Sequence, residues 1–336
     1  LFIGTGEVGN IARHVNTLEK ASFRRASIIS KPQFLMNYHH PRIIPAKAAF
    51  AYLKISEGCS NCCSYCAIPV IRGRARSRMP KDILREAENL AAQGFKEIII
   101  TGQDTTAYGK DLKSRPRLSD LLKDMAQIKD IRWIRLLYAH PARVTEDLLK
   151  AIADTSKICP YIDLPIQHID DDILKSMNRR VTSTQIKTVI AKARNIIPGL
   201  ALRTSLIVGF PGETQNRFAK LLDFVSETKF DHLGVFTYSR EEGTAAAKIK
   251  SQISKKEKGR RRDLIMSEQA VISHSINQSM IGSVQEVLIE EKSDRPDFDF
   301  AGRSQRQAPE IDGITYLKGA NAKIGSIVKC KVIAAD

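Results

Sequence analysis

From residue 49 to about residue 280 the chain repeats one unit: a short apolar run followed by an amphipathic stretch of helical period. The runs at 51–55, 98–100, 133–137, 161–164, 200–209 and 232–238 read as strands. They have the length and apolar character of buried parallel strands. The stretches between them carry helix signals. Pro80 opens one, Ile83, Leu84, Ala87, Leu90 and Ala91 form its apolar stripe, and Gly94 ends it. Others cover 118–128 and 144–153. Thr182 and Ser183 precede Ile186, Val189, Ile190, Ala193, Ile196 and Ile197, which recur at helical spacing. Phe218, Leu221, Leu222 and Val225 mark the next helix. A long one reaches about Met280 with Ile265, Ile272 and Ile276 inward. Strands alternating with helices imply βαβ units. Six repeats predict an α/β fold, a partial (β/α)6 barrel over 49–278, with its chemistry at the C-terminal strand ends.

The flanks differ in character. Residues 1–28 carry a short apolar start and a helical pattern at Ile11, Val15 and Leu18, as expected of the tail of another domain. Residues 29–48 hold Pro32, Pro41 and Pro45 with little periodicity and read as a linker; His39 and His40 are expected to be exposed there. Residues 240–262 are dense in Lys and Arg, which suits a solvated helix start. After Gly282 the pattern turns all-β. Val328, Cys330 and Val332 alternate with Lys329 and Lys331, the period of a half-buried strand, so Cys330 reads as core. A small all-β, OB-like domain over 279–336 is expected, one strand short where it ends at Asp336.

Four of the six cysteines fall in one stretch, Gly58-Cys59-Ser60-Asn61-Cys62-Cys63-Ser64-Tyr65-Cys66, on the loop after the first barrel strand. No apolar run approaches ~20 residues, so no membrane span is expected. Nothing at the start resembles a secretory signal. A cytoplasmic setting follows, where clustered cysteines bind metal or react rather than form disulfides. Cys59, Cys63 and Cys66 are spaced C-x3-C-x2-C. Three thiolates hold three irons of a 4Fe–4S cluster and leave the fourth open to a substrate or cofactor. The spacing equally allows Cys59, Cys62 and Cys66. Zinc asks for a fourth ligand, and Cys159, just before Pro160, reads as a buried residue. Arg72, Arg74, Arg76 and Arg78 follow at every second position. In an extended segment they share one face.

These residues resemble the radical S-adenosylmethionine enzymes, and within them the methylthiotransferase branch. The resemblance lies in the cysteine motif and in Ile55-Ser56-Glu57-Gly58-Cys59, Ile71-Arg72-Gly73 and Ser77-Arg78. It continues in Leu164-Pro165-Ile166-Gln167-His168 and Val208-Gly209-Phe210-Pro211-Gly212-Glu213-Thr214. The C-terminal module resembles that branch's TRAM domain. The segments 102–109 and 302–313 resemble the members that methylthiolate an aspartate of the twelfth protein of the small ribosomal subunit.

The resemblance implies roles. Cys59, Cys63 and Cys66 ligate the cluster, leaving Cys62 a spare thiol. The open iron takes S-adenosylmethionine, whose cleavage to a 5′-deoxyadenosyl radical removes hydrogen from an unactivated carbon. Gln103 and Asp104 stand where the superfamily holds the methionyl amino group. Gln167, Arg203 and Ser205 face the same cavity. No residue is singled out as catalytic. An electron donor is required. The branch carries a second 4Fe–4S cluster in an N-terminal domain of which residues 1–28 resemble the tail, and no cysteine precedes Cys59.

Charge bears on the partner. The net charge of +16 favours an anionic partner such as RNA or the ribosome, or describes a basic enzyme. Residues 279–336 hold eight Lys/Arg against nine Asp/Glu, a balance of −1 that leaves +17 to the rest. A module that docks on transfer RNA is expected to be basic. This one suits a basic ribosomal protein better. The alternatives are the sister group that modifies adenosine in transfer RNA and a non-catalytic iron–sulfur or RNA-binding fragment.

Overall fold

The computed structural model describes residues 1–20, 27–44, 49–319 and 322–335; Pro45 of the expected linker and Asp336 lie outside them. Six parallel strands form the centre: β1 (Phe50–Lys54), β2 (Glu97–Thr101), β3 (Trp133–Leu136), β4 (Tyr161–Asp163), β5 (Ala201–Val208) and β6 (His232–Thr237). They lie side by side in chain order. Two ladders, β1-β2-β3 and β4-β5-β6, are joined by a bridge between Ile134 and Ile158. The array is open between β1 and β6, which is the partial (β/α)6 barrel read from the repeat.

The connecting helices are α1 (Pro80–Ala92), α2 (Leu118–Ala126), α3 (Glu146–Asp154), α4 (Asp171–Ser176), α5 (Ser183–Ile196), α6 (Gln215–Thr228) and α7 (Lys255–Ser279). Local chemistry explains their bounds. Pro80 stands at the first turn of α1. Thr182 and Gln185 close a capping box on α5. The short α4 has no periodic signal. It is set by Asp170, whose carboxylate accepts from the backbone N of Ile173, and by buried Ile173 and Leu174. The helices pack their apolar stripes on one face of the strands. Ile98, Ile134, Ile162, Leu202 and Leu206 meet Leu121, Ile186 and Leu221 there in the main core. Strand alternation sends Glu97, Arg135, Tyr161 and Arg203 to the inner face.

The C-terminal module is a four-stranded antiparallel sheet in the order β9-β8-β7-β10. Its strands are β7 (Val284–Lys292), β8 (Phe300–Ser304), β9 (Thr315–Leu317) and β10 (Ile327–Lys331). Cys330 is half-buried beside the module's small core of Val287, Ile289 and Leu317. Segment 303–312 of this module seals the inner face of the barrel and touches every strand. Glu310 accepts from Tyr52 Oη at 3.2 Å. Arg303 pairs with Glu97 at 2.6 Å, and Arg135 donates to the Gln305 carbonyl at 2.8 Å. Asp312 accepts from Tyr161 Oη at 2.7 Å and pairs with Arg203 at 3.4 Å. The His232 ring donates to the Arg306 carbonyl at 2.7 Å. Trp133, Tyr161 and Ala201 pack with Leu288 and Ala308 across the seam.

At the other end, Phe2–Ile3 pairs in parallel with Ser27–Ile28 around a helix Ile11–Lys20. The apolar positions Ile11 and Val15 of that helix are exposed, and His14 is the buried one. Segment 29–44 has no regular structure but is tied down. Tyr38 N donates to Asp82 at 2.9 Å, and Arg42 pairs with Glu86. His39 is exposed; His40 is half-buried and contacts Asn37. Among the described residues no helix is long and apolar enough to cross a membrane.

Candidate active site

β1 carries the chain to the C-terminal mouth of the barrel. There a short antiparallel pair, Ser56–Glu57 with Arg76–Ser77, closes 58–75 into a loop. Glu57 holds its base through Lys54 and through Arg72 at 3.0 Å. Cys59 N donates to the Gly73 carbonyl at 3.0 Å. Gly58 has φ +78°, and a Cβ there would lie 2.4 Å from the Arg74 carbonyl oxygen, so only glycine fits.

The four arginines do not share one face, because the segment is not extended throughout. Residues Ile68–Arg72 are helical and Gly73 turns the chain at φ +75°. Arg74 is exposed. Arg76 turns back on the Arg72 and Arg74 carbonyls. Arg78 is buried and paired with Asp82 at 2.7 Å and Glu86 at 2.6 Å.

The loop is docked on its neighbours. Ser64 N donates to the Met177 carbonyl at 2.9 Å and Ser64 Oγ to the Ser176 carbonyl at 2.7 Å. Ala246 N donates to the Ser64 carbonyl at 2.8 Å. Cys59 is buried, Cys63 and Cys66 are half-buried, and Cys62 is exposed. Asn61 N lies 3.4 Å from the Cys59 sulfur, and Arg179 Nη1 lies 3.8 Å from that of Cys63. Burial pushes the Cys59 and Cys66 thiols up, and the neighbouring Cys63 adds to both shifts. Cys159 lies apart in the seam core, its thiol pushed by burial up to about 12.

A clamp ties the loop to the ends of β2 and β3. The Asp104 carboxylate accepts from Asn61 Nδ2 at 2.8 Å, Thr106 Oγ1 at 2.7 Å and Arg143 Nη2 at 2.6 Å. Arg143 also donates to Asn61 Oδ1. Burial opposes the Asp104 charge, yet Arg143, Thr106 and Asn61 hold its pKa below the ordinary value. Beside it, burial and then the charge of Arg179 drive His140 down to about 3, so its ring is neutral.

The remaining sequence candidates divide. Gln103 precedes the clamp, and its buried amide oxygen has no hydrogen-bond partner among the described residues. Gln167 has φ +71° and bridges to β5: its N donates to the Ser205 carbonyl at 2.9 Å, and its carbonyl accepts from Ile207 N at 2.9 Å. Ser205 Oγ accepts from Arg203 at 3.3 Å. Arg203 is committed to Asp163 at 3.0 Å and to Asp312 across the seam. Thus Asp104 meets the cysteine loop, Gln167 and Ser205 share a wall, and Arg203 belongs to the barrel floor. Sequence reasoning passed over Asn61, Arg143 and Arg179. Their places in the cysteine loop, on the turn Pro141–Arg143 after β3 and just after α4 were the signal available.

Among the described residues no three His, Cys, Asp or Glu side chains gather around a single metal ion. A 4Fe–4S cluster asks for something else, since each thiolate binds a different iron and the sulfurs stand apart. The residues fit that group. The three thiols share one tight loop, soft sulfur donors suit iron–sulfur centres, and two N–H groups lie against the sulfurs.

Comparison with known proteins agrees with this architecture. Residues 53–225 match the radical SAM superfamily, and residues 281–336 match the TRAM domain. A ribosomal protein uS12 methylthiotransferase RimO of Syntrophus aciditrophicus is 54% identical over 100% of this chain and 75% of its own length. One of Geotalea uraniireducens is 47% identical over 99% of this chain and 74% of its own. The solved radical S-adenosylmethionine methyltransferase TsrM of Kitasatospora setae shares the fold. Its TM-score is 0.50 at 16% identity, covering 81% of this chain and 44% of that one. The chain therefore belongs to the radical SAM methylthiotransferases, in the family of the ribosomal protein uS12 methylthiotransferase RimO.

Proposed function

We propose that this chain adds a methylthio group to an aspartate side chain of ribosomal protein uS12. The observation that carries this reading is the 54% identity, over 100% of this chain and 75% of the relative, with a protein named for uS12 methylthiotransfer. In this reading Cys59, Cys63 and Cys66 hold three irons of a 4Fe–4S cluster, and Cys62 stays free. The Gln103 amide oxygen serves the ammonium group of S-adenosylmethionine, and Gln167 and Ser205 line the opposite wall. When bound, cluster and S-adenosylmethionine supply one-electron chemistry able to activate an unreactive C–H bond.

The chain's own residues position and shield that chemistry. Asp104 acts through Asn61, holding the cysteine loop against β2 and β3. Arg179 directs an N–H at the Cys63 sulfur, where hydrogen bonding tunes an iron–sulfur centre. Arg203 fixes the barrel floor through Asp163 and Asp312. An external electron donor completes the system.

Anaerobic reconstitution with iron, sulfide, reductant and S-adenosylmethionine tests the reading. The expected result is 5′-deoxyadenosine together with added mass on an aspartate of uS12. An intact cluster that yields no 5′-deoxyadenosine overturns the enzyme class. Methylthiolated adenosine in transfer RNA, with uS12 untouched, overturns the substrate.

A further inference from the structure

The loops at the C-terminal mouth of the barrel carry cations that the protein does not neutralise. Arg74 is exposed on the cysteine loop itself, two residues after the helix Ile68–Arg72. Lys110, Lys113 and Arg115 are exposed on the loop after β2. Lys110 lies on the turn that follows Asp104, its N donating to the Ala107 carbonyl at 3.3 Å; burial and then the charge of Arg143 lower its pKa. Lys248 and Lys250 are exposed on the loop after β6, whose Ala246 is hydrogen-bonded to the cysteine loop. None of these side chains has an ion-pair partner among the described residues, as is also true of exposed Lys81 on α1 and Lys123 on α2; what sets the rim apart is its place around the cysteine loop.

The acids of the same face are mostly spent. Glu57 is held by Lys54 and Arg72, Asp104 by Arg143, Glu213 by Arg261, and Asp170 by Lys220. Asp111, Asp171, Glu241 and Glu242 have no ion pair among the described residues, and Asp111 accepts from Ser77 and Asp171 from Ser183. Among the described residues the mouth therefore sets these six unpaired cations against four unpaired acids, a positive surplus of two around the loop that carries the cysteines. The C-terminal module does not share it: residues 279–336 balance to −1.

We infer that this rim binds the phosphate backbone of RNA, and that the substrate protein is recognised while it is seated on RNA. The inference rests on the proposed uS12 reading. A ribosomal protein that neutralises RNA is itself basic, and a bare basic chain approaching this mouth meets like charge. The same chain on RNA brings phosphates to the rim. Flexible lysines and arginines suit this work because phosphate contacts position without reading sequence. Finding the charge on the barrel mouth places the RNA contact next to the chemistry rather than on the TRAM module.

The test compares small ribosomal subunits with isolated uS12 as binding partners of the reconstituted enzyme over a salt series. Neutralising about five phosphates gives a slope of log K against log [salt] on the order of −4. Subunit binding is then expected to fall by roughly 200- to 300-fold between 50 and 200 mM salt. The Lys248→Ala/Lys250→Ala variant is expected to flatten that slope by about 1.5, to weaken subunit binding, and to leave 5′-deoxyadenosine formation without substrate unchanged. Isolated uS12 should bind no better to the parent than to the variant. A salt-independent affinity for subunits, or equal and variant-insensitive modification of isolated uS12, overturns the RNA rim while leaving the uS12 activity standing. Lack of modification of uS12 in either form overturns the activity, and the salt slope still reports on the rim.

Discussion

Asp104→Asn removes the charge of the clamp while keeping its size. In the parent, one carboxylate oxygen takes Thr106 and the other takes both Asn61 and Arg143. The Asp104 side chain is only 4% exposed, and that of Arg143 is 22% exposed. Breaking a fully buried ion pair costs about 3–5 kcal/mol. Arg143 retains some water and its contact with Asn61, so the expected loss is about 2–3 kcal/mol, within the range of one to two charge-assisted hydrogen bonds. That loss falls on the attachment of the cysteine loop, not on the main core. At 1.4 kcal/mol per tenfold, the open loop becomes roughly 30- to 150-fold more populated. Hydrogen exchange of amides in 58–75 should accelerate by that factor, while amides of α5 and α6 keep their protection. The reconstituted variant should also hold less iron and show an altered cluster spectrum. Asn61→Ala should give a smaller effect of the same kind, about 1 kcal/mol. Full iron content and unchanged loop exchange in Asp104→Asn would refute the clamp. It would return Asp104 to the role of a direct cofactor contact.

Cys63→Ala is expected to lose the iron–sulfur absorption on reconstitution and Cys62→Ala to keep it; the reverse result would mean that Cys62 is the ligand. Glu97→Ala strips the counter-ion from fully buried Arg135 and removes one of the two from Arg303, which keeps Glu290, and should cost about 3–5 kcal/mol in urea unfolding. Replacing Glu97, Arg135 and Arg303 together by Leu or Met should recover most of that loss, and failure of both would show that the seam is not held this way. His140 ionises at about 3 when folded against an ordinary 6.5. Its folded pKa is depressed, so its contribution is whole above pH 6.5 and is lost as pH falls toward 3, because the unfolded chain takes the proton first. Between pH 6.5 and 5 stability should drop by about 2 kcal/mol from this group. His140→Gln should flatten that stretch of the pH–stability curve, and an unchanged slope would refute the neutral ring.

The barrel was legible because its signals are local. Apolar strand runs, Pro80 at a helix start and the Thr182 cap each act within a few residues, and together they define the βαβ order. α4 escaped notice because six residues are too few to show a period; Asp170 and two buried side chains decide it. The arginine run was read as one face only on the condition of an extended segment. Alternation implies a shared face only in an extended chain, and the Gly73 turn after a helical segment breaks that condition.

The cysteine loop shows the same division. Sequence alone determined that clustered thiols lie on the loop after the first strand and that six βα units bring such a loop to the barrel mouth; the glycine requirement at Gly58 emerged only from its backbone angle and the nearby Arg74 carbonyl. Cys62 and Cys63 are equivalent by spacing. Tertiary structure alone left Cys62 exposed and set Arg179 against Cys63, because Arg179 comes from the chain after β4. Only the fold paired Asp104 with Asn61 and Arg143, and drew Arg203 into the floor through Asp312, 109 positions further along the chain. A carboxylate's role depends on which cation reaches it, and that is decided by strands that meet in space rather than in sequence.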